Sequence, residues 1–88
     1  METTETTEDL GRRVRDLIGR MSPLGERTAE SHHDVMNDLG YDSVAIVELA
    51  LVLESEFDLR PIDDEQAFDV VTVGDVEQLV RRLSAAGA

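Results

Sequence analysis

The strongest pattern in the chain is the apolar run from Val44 to Phe57, and its period is helical. Val44, Val47, Leu51 and Glu54 share one line of such a helix, and Ile46, Ala50, Leu53 and Phe57 share the next. So wide an apolar face predicts the most buried helix of the fold, over about Ser43 to Phe57. Glu48, Ser55 and Glu56 mark the exposed remainder, with Glu54 at its edge. The stretch Asp38-Leu39-Gly40-Tyr41-Asp42-Ser43 leads into this helix. Gly40 takes a turn conformation at low steric cost. Asp42 is a strong N-cap type, and Tyr41 and Ile46 have the spacing of a hydrophobic staple. Ser43 then falls at the first helical position, at the positive end of the helix dipole, where a phosphate is well placed. Asp58-Leu59-Arg60-Pro61 ends the helix, because Pro61 disfavours helical geometry at Arg60.

Three further helices are expected around it. Leu10, Val14, Leu17, Ile18 and Met21 form one stripe of a helix from about Glu8 to Met21, with Thr6 or Thr7 as its cap. Gly11 and Gly19 weaken that helix, so packing must help to hold it. A long connection follows, from Ser22 to Asp42, in which Val35, Met36 and Leu39 suggest a helical turn against the core. A short helix over about Asp64 to Phe68 has Asp63 as cap and Gln66 as its capping-box partner. The last helix, about Val73 to Ser84, is capped by Thr72, with Val71 and Val76 spaced as a staple. Its inner stripe is Val73, Val76, Leu79, Val80 and Leu83. The expected fold is all-α: a small four-helix bundle of three main helices and one short one, with a long first loop. Residues 1–7 are read as a disordered tail, 8–84 as the single domain and 85–88 as a frayed end.

Composition narrows the function. The 88 residues hold 20 acidic and 8 basic side chains, a formal net charge of −12, and every basic residue is Arg. Such a balance argues against nucleic acid as a partner and favours proteins with basic patches. The absence of cysteine removes disulfides, thiolate metal sites and any nucleophilic thiol of the chain itself. No apolar run approaches membrane-span length and no signal peptide is visible, so a cytoplasmic monomer is expected. His32, His33 and Asp34 invite a metal reading, but adjacent histidines do not share a helix face, and solvated loop residues are the expectation. An EF-hand reading of the Asp38 loop fails on counting, since Ser43 and Leu49 stand where Gly and Glu are needed. No metal site and no catalytic constellation emerges.

Ser43 remains. The residues alone leave two readings: a serine beside a cap, which is common, or an attachment point. The stretch Asp38-Leu39-Gly40-Tyr41-Asp42-Ser43, followed by Val44, Val47, Glu48, Leu49, Leu53, Glu54, Glu56 and Phe57, resembles the acyl carrier protein family. The likeness extends over roughly residues 8–84, through the long first connection, the short third helix and the Thr72-Val73 start of the last helix. The resemblance implies that Ser43 carries 4′-phosphopantetheine, transferred from coenzyme A by a phosphopantetheinyl transferase, and that Asp42 helps that enzyme and its metal engage the site. It implies a non-catalytic carrier that holds acyl or polyketide intermediates as thioesters and delivers them to a ketosynthase, an acyltransferase or similar enzymes. Asp42, Glu48, Glu54 and Glu56 are the expected partner-binding residues. Val47, Leu51, Phe68 and Val70 are candidate walls of an acyl pocket.

Tyr41, Val44, Ala45 and Ser55 depart from the common fatty-acid form, and Leu-Gly-Tyr-Asp-Ser is more similar to discrete carriers of polyketide assembly. A primary fatty-acid carrier and a peptidyl carrier stay open as alternatives. So does an acidic interaction module without a prosthetic group. The charge alone sets one test. Self-repulsion at −12 should be relieved by salt, so the melting temperature should rise with ionic strength, and a melting curve insensitive to salt would mean that core packing outweighs repulsion.

Overall fold

The structure is a computed structural model that describes residues 7–85, with side-chain surroundings for 9–84. It holds four helices: α1 (Thr7–Arg20), α2 (Ser43–Phe57), α3 (Asp64–Asp69) and α4 (Val73–Ala85). The boundaries follow the expected ones closely, and α4 continues to Ala85. Residues 1–6 of the expected N-terminal tail lie outside the described residues, as do residues 86–88, whereas Thr7, also read as tail, is the first residue of α1.

Helix α1 packs chiefly on α4, while α2 packs on α3 and α4. The core is one cluster in which Val14 and Ile18 of α1 meet Val35 and Leu39 of the long loop, Ile46, Leu49, Ala50 and Leu53 of α2, and Val73, Val76 and Val80 of α4. The sequence placed two lines of α2 in the core, but only one is there. Val44, Val47 and Leu51 are exposed, at 66%, 37% and 59%. The reason is geometric: α3 is only six residues long and covers one flank of α2, so the second apolar line has no helix to bury it. In the loop, Val35 and Leu39 are buried as expected, but Met36 is exposed. Val71, the residue before the Thr72 cap, is exposed too, while Val76 is buried.

The helix ends obey local chemistry. Asp63 and Gln66 complete a reciprocal capping box at α3. At α4, the Thr72 hydroxyl accepts from the Asp75 amide, and the Asp75 carboxylate accepts from the amides of Val71 and Thr72. Those backbone bonds hold the Asp75 carboxyl below its usual range. Helix α2 closes on Asp58, a left-handed residue with φ 54°, and the Leu59 amide reaches back to the Glu54 carbonyl at 3.1 Å.

The long loop is held at both of its sides. Amides of Val73 and Gly74 donate to the carbonyls of His33 and Ser31, so the loop satisfies the free N-terminus of α4. Asp34 and Thr72 form an isolated antiparallel bridge. His33 has a structural use here: its Nδ1 accepts from the Glu30 amide at 2.9 Å. At its other side the loop runs against α1, where the Arg27 amide donates to the Gly19 carbonyl.

A buried carboxylate, which the sequence pattern does not reveal, ties these parts together. Glu77 of α4 is 5% exposed. It receives the Ser31 hydroxyl at 2.6 Å and faces Arg15 at 3.3 Å and Arg81 at 3.6 Å. Gly11 makes room for it, since a Cβ there would stand 3.0 Å from Glu77 Oε1.

Gly19 provides the test of the loop packing. A Cβ at this position would lie 2.0 Å from the Arg27 carbonyl oxygen. Helix propensity alone would make Gly19→Ala more stable by about 1 kcal/mol. Overpacking against backbone costs about 1–3 kcal/mol, so the expected net effect in chemical denaturation is a loss of stability. A Gly19→Ala midpoint above that of the wild type would show that the loop does not rest on α1.

Candidate functional site

The start of α2 is built from the loop upward. Asp34 Oδ1 accepts from the amides of Met36 and Asn37, and Asp38 Oδ2 accepts from the Asp34 amide, which rolls the chain into a compact turn. Gly40 follows with φ 77°, a conformation that a side chain disfavours. The space beside it is also taken: a Cβ there would fall 2.5 Å from Leu24 Cγ. The turn is then fastened to the end of α1 by two buried bonds. The Ser22 hydroxyl donates to the Leu39 carbonyl at 2.7 Å, and the Tyr41 hydroxyl donates to the Ile18 carbonyl at 2.7 Å.

Tyr41 is therefore more than a staple. It is 3% exposed, and its ring fills the core beside Ile46 while its hydroxyl pairs a last-turn carbonyl of α1. Burial pushes its hydroxyl up to about 12. The next residue, Asp42, has extended backbone geometry, and its Oδ1 accepts from the Ala45 amide at 2.8 Å. Its carbonyl accepts from the Ile46 amide. This arrangement leaves Ser43 exposed at the first helical position. Among the described residues its hydroxyl has no hydrogen-bond partner, and the amides of Ser43 and Val44 are unpaired. A phosphodiester on this oxygen would meet the positive end of α2 and two free N–H groups, with no internal bond to break.

The other candidates divide. Glu48 and Glu56 are exposed along α2. Glu54 is half-buried, and its Oε2 accepts from the Ile62 amide at 2.6 Å, so it holds the α2–α3 connection. Of the four expected wall residues, Val70 alone lines an apolar cavity, with Ile46, Ala50, Leu53, Ala67 and Leu79 among its neighbours. Val47 and Leu51 lie on the surface instead, because α3 covers the other line of α2, and Phe68 is exposed on α3 itself. The cavity has a volume of about 20 Å³, room for about one water-sized group.

A family model described as "Phosphopantetheine attachment site" matches residues 12–80. The chain belongs to the phosphopantetheine-binding, acyl carrier protein family. An acyl carrier protein of Clostridium acetobutylicum is 36% identical over 69 residues, covering 78% of this chain and 88% of that one. One from Azobacteroides pseudotrichonymphae is 36% identical over 66 residues, covering 75% and 78% of the two chains. The solution structure of 3-oxo-butyl-ACP from the actinorhodin polyketide synthase of Streptomyces coelicolor matches with TM-score 0.65 and 31% identity, covering 100% of both chains. The cofactor of this acyl carrier protein is covalently attached 4′-phosphopantetheine. An interaction module without a prosthetic group is thereby set aside. Among the described residues, no helix of the carrier is long and apolar enough to cross a membrane.

Tyr41 offers a clean measurement, because the chain has one tyrosine and no lysine. The unfolded hydroxyl titrates near its ordinary value of about 10 and the folded one at about 12, so the stability it contributes is present below pH 10 and is lost as pH rises through that window. Tyr41→Phe should cost about 1 kcal/mol at neutral pH, as the loss of one buried hydrogen bond implies, and should abolish the alkaline loss between those two values. Urea denaturation across pH checks both, and an unchanged alkaline profile in Tyr41→Phe would place the titration elsewhere.

Proposed function

We propose that Ser43 is the attachment point of 4′-phosphopantetheine and that the protein is a non-catalytic carrier of polyketide or related specialised biosynthesis. The observation that carries the site is the exposed, unbonded Ser43 hydroxyl directly after an Asp42 that is committed to capping. When bound, the arm supplies the terminal thiol that this cysteine-free chain lacks. The residues of the chain do the rest. Asp42 fixes the helix start, and the buried Tyr41 and Ser22 bonds keep that start on α1, so the arm projects from a rigid base.

Docking is assigned to the exposed face of α2. Asp42, Glu48 and Glu56 present negative charge, and the uncovered Val44, Val47 and Leu51 add apolar area beside it. A phosphopantetheinyl transferase, a ketosynthase and an acyltransferase with basic patches are the partners such a face suits. Charge of this kind speeds encounter and fixes register, while exposed pairs remain weak enough for release. Glu54 contributes less to docking than its acidic type suggests, since its carboxylate already holds the Ile62 amide. A cytoplasmic monomer is the form in which we place it.

The match along the whole chain to a polyketide carrier and the Tyr41 that precedes Asp42 favour the polyketide reading. A fatty-acid carrier is the second reading, and the cavity favours it. Its lining carries no polar group, so a saturated chain parting α2 from α3 would meet apolar walls, whereas a polyketone would bury unpaired carbonyls there.

Incubation with coenzyme A, magnesium and a permissive transferase should add one phosphopantetheinyl group by intact mass. Ser43→Ala should stay unmodified while its circular dichroism remains that of the wild type. Modification at Ser22, Ser31, Ser55 or Ser84, or none on the wild type, would overturn the assignment.

A further inference from the structure

A second hollow lies beside the apolar cavity, on the side where α3 meets α4. It has a volume of about 210 Å³ against about 20 Å³ for the cavity, and Val70 and Leu79 line both. The rest of its lining is polar: Gln66 and Asp69 of α3, and Asp75, Gln78 and Arg82 of α4. The two hollows share an apolar wall and differ in every other group.

The polar groups are in different states. Gln66 uses its Oε1 in the capping box, where it accepts from the Asp63 amide at 3.2 Å. A side-chain amide whose oxygen is fixed in this way leaves its NH2 end as a donor. Asp75 is committed to the amides of Val71 and Thr72. Among the described residues, the side chains of Asp69, Gln78 and Arg82 have neither a hydrogen-bond nor an ion-pair partner. One guanidinium against two carboxylates gives the lining no net positive charge, so the cleft is unsuited to a phosphate or a carboxylate. It suits an uncharged chain that carries several oxygens. Ketones accept from the two NH2 groups and the guanidinium, and a hydroxyl or enol donates to Asp69.

We infer that this α3–α4 cleft receives the oxygenated part of the carrier's cargo, a chain with repeated ketone groups, and that Gln66, Gln78 and Arg82 select it over a saturated chain. The inference rests on the reading of Ser43 as the attachment point. Ile46, three residues and about 4.5 Å further along α2, lines the apolar cavity, so that cavity begins within one turn of the arm. It is too small for an acyl chain, and a chain that passes Val70 and Leu79 reaches the larger cleft. A ketone confined to the cavity loses its bonds to water without replacement, whereas in the cleft it meets donors. A saturated chain has the opposite preference, since Val70 and Leu79 are the only apolar side chains that line the cleft.

Two chemically stable arms test the assignment, each transferred to Ser43 by a permissive transferase from the matching coenzyme A thioether. One ends in a hexyl chain and the other in a 3,5-dioxohexyl chain of the same length. In the isotopically labelled full chain, the dioxohexyl protons should give nuclear Overhauser contacts to Leu79 and to the Gln78 side-chain amide. The same arm should shift the NH2 signals of Gln66 and Gln78, and the hexyl arm should leave both in place. Gln78→Ala with Arg82→Ala, two side chains exposed on α4, should remove the Gln66 shift. If the double variant is not folded by circular dichroism, Gln78→Ala alone is read. A loaded dioxohexyl arm without contacts in the cleft, equal NH2 shifts from the hexyl arm, or a Gln66 shift unmoved by the variants would defeat the inference and leave the carrier reading intact. A chain that accepts no arm by intact mass would defeat the Ser43 reading and this inference with it.

Discussion

The attachment of the long loop to the end of α1 is the constraint on which the site depends. Two buried hydrogen bonds, from Ser22 to the Leu39 carbonyl and from Tyr41 to the Ile18 carbonyl, bring residues far apart in sequence into fixed register. They pair carbonyls that burial would otherwise leave at a cost of about 1–3 kcal/mol each, so the register is enforced as well as stabilised. Everything downstream inherits it. Asp42 caps α2 only where the loop delivers it, and Ser43 is exposed because Tyr41, two residues earlier, is buried.

The same loop serves the other end of the molecule. Its carbonyls at Ser31 and His33 cap α4, and Ser31 reaches the buried Glu77. A connection of this length would be expected to be loose, yet it acts as a strut between α1 and α4. Gly11 and Gly19 belong to that design. Read as helix-weakening residues, they are places where a side chain would strike Glu77 or the Arg27 carbonyl. Their cost in helix propensity is small beside the packing it permits.

Charge is organised by the fold. A net charge of −12 is unevenly spread, because α1 and the early loop hold five of the eight arginines while α2, α3 and the loops around them carry most of the acid. The carboxylates themselves differ in use. Asp42, Asp63 and Asp75 cap helices, Glu54 holds a turn, Glu77 is buried among arginines, and Glu48 and Glu56 stand free on α2.

Local chemistry was written in the sequence. Helix starts were legible because Asp42, Asp63 and Thr72 act on amides within three residues, and a cap needs no distant partner. The apolar stripes of α1 and α4 followed from periodicity, and the place of Ser43 from the Asp42 cap before it. What the tertiary structure decided is which apolar residues have a neighbour to cover them. Val47 and Leu51 have the same character as Ile46 and Leu53, but only the latter face the flank that the short α3 closes. Glu77 likewise looks like any acidic residue of a helix until Arg15, Arg81 and Ser31 arrive from other parts of the chain. Periodicity defines a face. Whether that face is core or surface depends on what packs against it, and that is a property of the assembled fold.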